Sequence, residues 1–341
     1  MKIISFTVPC YNSQAYMRKC VDSLLVGGDD VEIIIVNDGS KDDTIKIANE
    51  YAERYPDIVK VVDKENGGHG SGINEGLKLA SGRYFKVVDS DDWLDKDALE
   101  QLIAVMKKHI EENADVDLYI TNFVYDHAAD NTKYVSGYTK KMPQGQIFGW
   151  DKVKKFHYSH MLLMHSVVFK LDKVKECGIV LPEHTFYEDN YFVYRPLPFM
   201  RNVYYLNVDL YHYYIGRADQ SVNRKNLVKR YDQQIRVMLL MADAYKWSKI
   251  KSLPKGLKNY MWHALQAVMM NTLFFTCAES SKERKTALKE MWRHIKKNDR
   301  KLYNKLRTRS YATAVNYLPW RLRGFITTVG YNILCKRVKL G

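Results

Sequence analysis

Over its first hundred residues the chain alternates short apolar runs with segments whose apolar positions recur every three or four residues. Residues 3–8 form the first run, closed by Pro9; residues 31–36, 58–62 and 84–88 repeat it, rich in β-branched side chains. Runs this short and this continuous predict strands buried on both faces, as in a parallel sheet. Between them, Asn12 or Ser13 starts a helix through Tyr16, Cys20 and Leu24 that Gly27-Gly28 stops. Ser40 is the expected cap of a second helix, which turns Ile45, Ile47, Ala48 and Tyr51 inward before Pro56, and residues 74–80 make a third. The alternation predicts an α/β fold with a doubly wound sheet. A helix over 98–112 and a strand over 118–123 extend it, and from residue 223 the pattern turns helical, with breaks at Pro254 and Pro319.

In such a sheet, ligands bind outside the carboxyl ends of the strands. Tyr11-Asn12, Asn37-Asp38-Gly39 and Asp89-Ser90-Asp91-Asp92 all fall there. Three carboxylates in four residues repel one another unless a cation neutralises them. A hard divalent ion, Mn²⁺ or Mg²⁺, shared with a substrate's phosphates, satisfies that arrangement. The plainer expectation is that Asp91 and Asp92 cap a helix after Trp93, which accounts for one aspartate but not three. The glycines at 67, 68, 70 and 72 have neither the G-x-G-x-x-G spacing nor a following Lys-Ser/Thr, so dinucleotide and P-loop readings fail.

Charge divides the chain in two. Residues 222–341 carry 27 Lys+Arg against 6 Asp+Glu, whereas residues 1–221 carry 26 against 33. The basic tail calls for an anionic partner: a membrane surface, a nucleic acid or an acidic polymer. Five scattered cysteines without a C-x-x-C pair suggest neither a disulfide framework nor zinc, and a reducing cytoplasm is the expected setting. The most apolar helical stretch, 260–276, is interrupted by His263, Gln266 and Asn271, so a buried helix is expected there and not a membrane span.

Four elements in order give the chain a resemblance to a known family. Val8-Pro9-Cys10-Tyr11-Asn12, then Val36-Asn37-Asp38-Gly39-Ser40 with Asp43-Thr44, then Asn66-Gly67-Gly68 through Asn74-Glu75-Gly76, and Val88-Asp89-Ser90-Asp91-Asp92 resemble the family 2 glycosyltransferases of the GT-A fold. The resemblance covers residues 1–221 and implies an inverting transfer of a hexose from a UDP-sugar. By it, the donor is bound by Pro9, Tyr11, Asn12, Asp38, Gly68, Asn74, Asp89, Ser90 and Arg217. Asp38 and Tyr11 would meet the uracil, and Asp91 with Asp89 would hold the metal. Phe186-Tyr187-Glu188-Asp189-Asn190 is similar to the family's acidic pair, making Asp189 the base and Glu188 its support. At Ile73, where the family often has arginine, the chain departs, and Arg217 becomes the expected phosphate cation.

Residues 1–221 are therefore expected to be a nucleotide-sugar-binding catalytic domain, and 222–341 a basic helical region that meets membrane, acceptor or a second copy. The acceptor expected is a saccharide or lipid-linked saccharide of the cell surface, reached at the inner face of the membrane. A competing expectation is a non-catalytic nucleotide-fold protein whose tail binds nucleic acid, but no recognised nucleic-acid module supports it. A sugar nucleotidyltransferase would need a basic glycine-rich loop where Pro9–Asn12 stands. His212 either completes the metal's shell or packs among the aromatics around it, the commoner role of a lone histidine; His157, His160, His165 and His184 show no metal spacing and read as packed residues.

Overall fold

The computed structural model describes residues 2–127, 131–216 and 224–338, with side chains left undescribed at 224–225 and 334–338. Two compact units emerge: Met1–Val153, Leu162–Thr185 and Pro196–Tyr214 form the first, while Lys154–Met161, Phe186–Arg195 and Ile215–Gly341 form the second.

The first unit opens as its apolar runs predict. Strands β1 (Ile4–Cys10), β2 (Val31–Asp38), β3 (Val59–Lys64) and β4 (Tyr84–Val87) alternate with helices α1 (Met17–Leu25), α2 (Thr44–Arg54) and α3 (His69–Leu79). All fifteen residues of β1 and β2 are buried, which is why their sequence shows no polar alternation. A short β5 (Trp93–Leu94) and helix α4 (Lys96–Glu111) follow, then β6 (Leu118–His127), β7 (Thr132–Ser136), β8 (Ile147–Phe148), β9 (Val167–Lys170) and α5 (Leu171–Glu176). After α6 (Asp189–Tyr194) of the second unit comes the long β10 (Val203–Ile215).

The sheet runs β3-β2-β1-β4-β9-β6-β10-β5, with β7 beside β6 and β8 beside β10. Its first four strands are parallel; β9 then joins β4 antiparallel, pairing Phe85 with Phe169. The fold is thus the expected α/β class around a sheet that is mixed, and the parallel half sets its carboxyl ends along one edge.

Helix α3 lies unusually close on β1. A methyl group added at Gly72 would stand 3.0 Å from the Pro9 side chain, and one at Gly76 would overlap the Thr7 side chain. These glycines, one helical turn apart, let the backbones approach where any side chain would hold them off. Gly76→Ala should therefore cost about 1–3 kcal/mol by overpacking, read as a lower urea midpoint at unchanged slope.

Two helix starts differ from expectation. Asp43, not Ser40, precedes α2; the Asp42 carboxylate accepts from the Thr44 amide at 3.0 Å, and the Ser40 hydroxyl instead accepts from the Asn12 amide at 2.9 Å. Trp93 leads into a strand, and Asp95 caps α4 by accepting from Ala98 N at 2.9 Å. Asp91 and Asp92 are therefore not helix caps.

The second unit is helical: α7 (Arg224–Lys229), α8 (Tyr231–Ala244), α9 (Trp247–Ser252), α10 (Lys255–Cys277), α11 (Lys282–Asn298), α12 (Arg300–Thr308) and α13 (Trp320–Val338). Pro254 and Pro319 stand at the starts of α10 and α13, as proline's missing donor favours. Helix α10 is buried along most of its length, and no described helix is long and apolar enough to cross a membrane.

Candidate active site

The loops after β1, β2 and β4 are stitched to one another at the carboxyl edge. Asn12, in the left-handed region with φ 51°, accepts from Lys41 N through its amide oxygen at 2.9 Å. The Ser13 amide donates to Thr44 Oγ1 at 2.8 Å, and its hydroxyl shares a 2.7 Å hydrogen bond with that of Ser90. Asn12 and Ser90 are thus struts between loops. Pro9 sits beneath α3, beyond the last β1–β4 pair at Thr7, while Tyr11 projects with 52% of its surface exposed. An exposed aromatic on rigid loops is placed to stack on a planar ligand.

Asp38 is buried and shapes the glycine-rich loop. Its Oδ1 accepts from Gly67 N at 2.8 Å and from Lys64 Nζ at 2.8 Å, and its Oδ2 accepts from Gly68 N at 2.7 Å. Gly68 adopts φ 84°, a conformation that glycine enters without strain, and packs against the His184 backbone. Asn74, an expected donor contact, is tied to the backbone on the far side of the loop. Its amide nitrogen donates to Leu181 O at 2.9 Å and its oxygen accepts from Leu181 N at 2.9 Å, so the side chain anchors the 181 segment. Ile73 is buried, so this position offers an apolar side chain and no charge.

The acidic turn after β4 is held by two elements that the sequence separates widely. From α3, His69 Nε2 hydrogen-bonds Asp89 Oδ1 at 2.8 Å. From β10, the Tyr211 hydroxyl donates to Asp92 Oδ2 at 2.5 Å and accepts from Asp89 N at 3.1 Å, while Tyr214 N donates to Asp92 Oδ1 at 2.8 Å. Burial alone would push the Asp89 carboxyl up, but the bond from His69 and the positive groups nearby hold it below the usual carboxylate range. Asp92 goes the other way, raised by burial and by the charges of Asp91 and Asp89. That opposition marks a negative charge excess at one strand end.

Asp89, Asp92 and His165 each bring a donor atom within 4.8 Å of the others. The His165 ring stacks on Tyr211 at 4.5 Å, its Nδ1 is buried without a hydrogen-bond partner, and burial lowers its pKa to about 4. A neutral imidazole with an orphaned ring nitrogen among carboxylates fits a hard divalent cation, as does the crowding of Asp89, Asp91 and Asp92. Asp92 has both oxygens taken by Tyr211 and Tyr214, so it backs the turn. Sequence spacing does not single out His165; it arrives here because β9, which follows it, inserts beside β4. Lys86, buried in β4, donates to His165 O at 2.7 Å and Val167 O at 3.3 Å, which fastens that insertion.

In the second unit, Asp189 begins α6 and Glu188 precedes it, the first half-buried and the second buried. Tyr187 takes φ 69°, an outlier for a bulky side chain, with its ring against Phe275 at 5.2 Å. Strain of this kind clusters where surrounding structure fixes a functional residue. Asn190 Nδ2 donates to Tyr187 O at 3.0 Å and to Asp189 Oδ1 at 3.1 Å, orienting the carboxylate. Arg217 lies outside the described residues.

Residues 5–170 match the family described as glycosyl transferase family 2. A relative from Bacillus subtilis, the putative glycosyltransferase EpsH, is 31% identical over 243 residues, covering 68% of this chain; the chain spans 64% of that relative's length. Among solved structures, residues 1–349 of S. aureus TarS in complex with UDP-GlcNAc share the fold with a TM-score of 0.66 at 19% identity, over 97% of this chain and 92% of that one. A mannosyltransferase from Pyrobaculum calidifontis, in complex with GDP-Man and Mn²⁺, gives a TM-score of 0.51 at 16% identity over 96% and 86% of the two chains.

Proposed function

With residues 5–170 belonging to glycosyl transferase family 2, we propose that this chain transfers a hexose from a UDP-sugar to an acceptor hydroxyl, with inversion and with Mn²⁺ or Mg²⁺ present. The observation that carries the reading is the acidic turn: Asp89 and Asp92 gathered with an unpartnered His165 nitrogen at the carboxyl edge of the parallel strands, with Asp91 between them in the chain. The UDP-GlcNAc complex of TarS and the GDP-Man and Mn²⁺ complex of the mannosyltransferase support donor class and metal.

Tyr11 would stack on the uracil, and Asp38 would hold the Gly67–Gly68 backbone at the distance the donor requires. Asp89 and Asp91 would hold the cation, with Asp92 and His165 behind them. When bound, a divalent cation stabilises the negative charge that develops on a diphosphate leaving group. Asp189 takes the acceptor hydroxyl's proton as the acceptor oxygen bonds to the sugar's anomeric carbon and the bond from that carbon to the diphosphate breaks. Arg217 is the proposed cation for the released phosphate charge. The acceptor is proposed to be a saccharide or lipid-linked saccharide in cell-surface polymer assembly.

A thermal-shift series tests donor and metal together. UDP-hexoses should raise the melting temperature only with Mn²⁺ or Mg²⁺ present, and at a hundred-fold excess over Kd the gain is about 2.7 kcal/mol. Stabilisation by adenine or guanine nucleotides alone, or none by uridine nucleotides, would refute the proposal.

A further inference from the structure

Helix α13 is inside out. In an ordinary surface helix the large apolar side chains face the core and the polar ones face water. Here the face against α10 carries Gly324, Thr327 and Tyr331: a side chain at Gly324 would strike Cys277 O, Thr327 is buried with its hydroxyl donating to Arg323 O at 2.9 Å, and the Tyr331 ring stacks on Phe274 at 4.0 Å. The opposite face carries Leu322, Phe325, Ile326, Val329 and Ile333, 39–66% exposed. At 3.6 residues per turn these five fall within an arc of about 100°. Small and hydroxyl-bearing residues are spent on packing while the large aliphatic and aromatic ones are left outside. An apolar stripe of this size on a soluble unit marks an interaction surface.

Charge identifies the occupant. From residue 300 to 341 the chain carries ten Lys and Arg and no Asp or Glu. A second copy would set like charges against each other across the stripe. Beside the start of α13, Ser280, Ser281, Lys282, Lys285, Thr286 and Lys289 line an open cavity of about 370 Å³, and Lys285 Nζ lies 5.7 Å from the Trp320 ring centre. Lysines and hydroxyls suited to a phosphate thus adjoin an apolar face suited to acyl chains. We propose that α13 lies in the interface of an anionic phospholipid bilayer, with the phosphate headgroups taken by the lysines of α11.

The test is cosedimentation of the full chain with phosphatidylglycerol/phosphatidylcholine vesicles and with pure phosphatidylcholine vesicles. The chain should sediment with the first and only weakly with the second. Phe325→Ser combined with Ile326→Ser, Val329→Ser and Ile333→Ser should abolish binding while keeping the circular dichroism spectrum. Lys282→Gln, Lys285→Gln and Lys289→Gln together should weaken binding on the order of 100-fold and flatten its salt dependence. Phe325→Trp should add fluorescence that brominated lipid quenches beyond the wild-type background. Asp189→Asn, inactive in transfer, should bind vesicles like the wild type, so this proposal and the enzymatic one fail separately. Equal sedimentation of the wild type and the serine variant would overturn the proposal. So would a lipid-free dimer that the serine variant loses, since the stripe would then belong to copies of the chain.

Discussion

Asp189→Asn should lower transfer by roughly 10²–10⁴-fold while the donor binds as before. Asparagine preserves the shape and the hydrogen bond from Asn190 but cannot accept the acceptor's proton. The fold should survive, because Asp189 is only half-buried at the start of α6. The measurement pairs product formation with UDP-sugar binding by calorimetry. Loss in kcat with unchanged donor affinity assigns the base; full activity would remove Asp189 from the chemistry. Glu188→Gln is the companion variant. Its side chain is buried, so a stability loss alongside a smaller activity loss would mark it as support.

The second large effect concerns the cation. Asp91→Asn should reduce metal-dependent UDP release on the order of 10²–10³-fold and raise the Mn²⁺ concentration that gives half-maximal rate. Asp92→Asn should act chiefly on stability: its two oxygens hold Tyr211 and Tyr214, and the amide keeps only one acceptor. If Asp92→Asn removed the metal response and Asp91→Asn left it intact, the ligand set would shift to Asp89, Asp92 and His165, the trio whose donor atoms already lie within 4.8 Å. His165→Gln would then separate a ligand from a packed ring.

Most of the parallel half of the fold was legible because its signals are local. Continuous apolar runs mark β1 to β4, and the polar residues that follow each run mark the ligand edge. The acidic turn at residues 89–92 stands out for the same reason: three carboxylates in four residues are a local signal. What local reading missed depends on long-range placement. His69 and Asp89 are 20 residues apart, His165 just precedes β9 and Asp89 follows β4, two strands that pair across the sheet, and Tyr211 reaches Asp92 from 119 residues away. For Asn12 and Asn74 the sequence does not disclose a bracing role, because an amide serves a donor sugar and a backbone equally well. Only the structure shows those amides engaged, with Lys41 and Leu181. The cap at Ser40 failed because a rival acceptor, Asp42, lay two residues closer to α2.

Strand β9 occupies the gap between β4 and β6, although about eighty residues separate it from β4 in the chain. During synthesis, the edge of β4 therefore stays open until that stretch has left the ribosome. An exposed edge in a chain still being made invites pairing with another nascent copy, and the long loop to be closed slows the rescue. Translation pauses before residue 167, or a chaperone held near that edge, should decide how much of this protein reaches its native state.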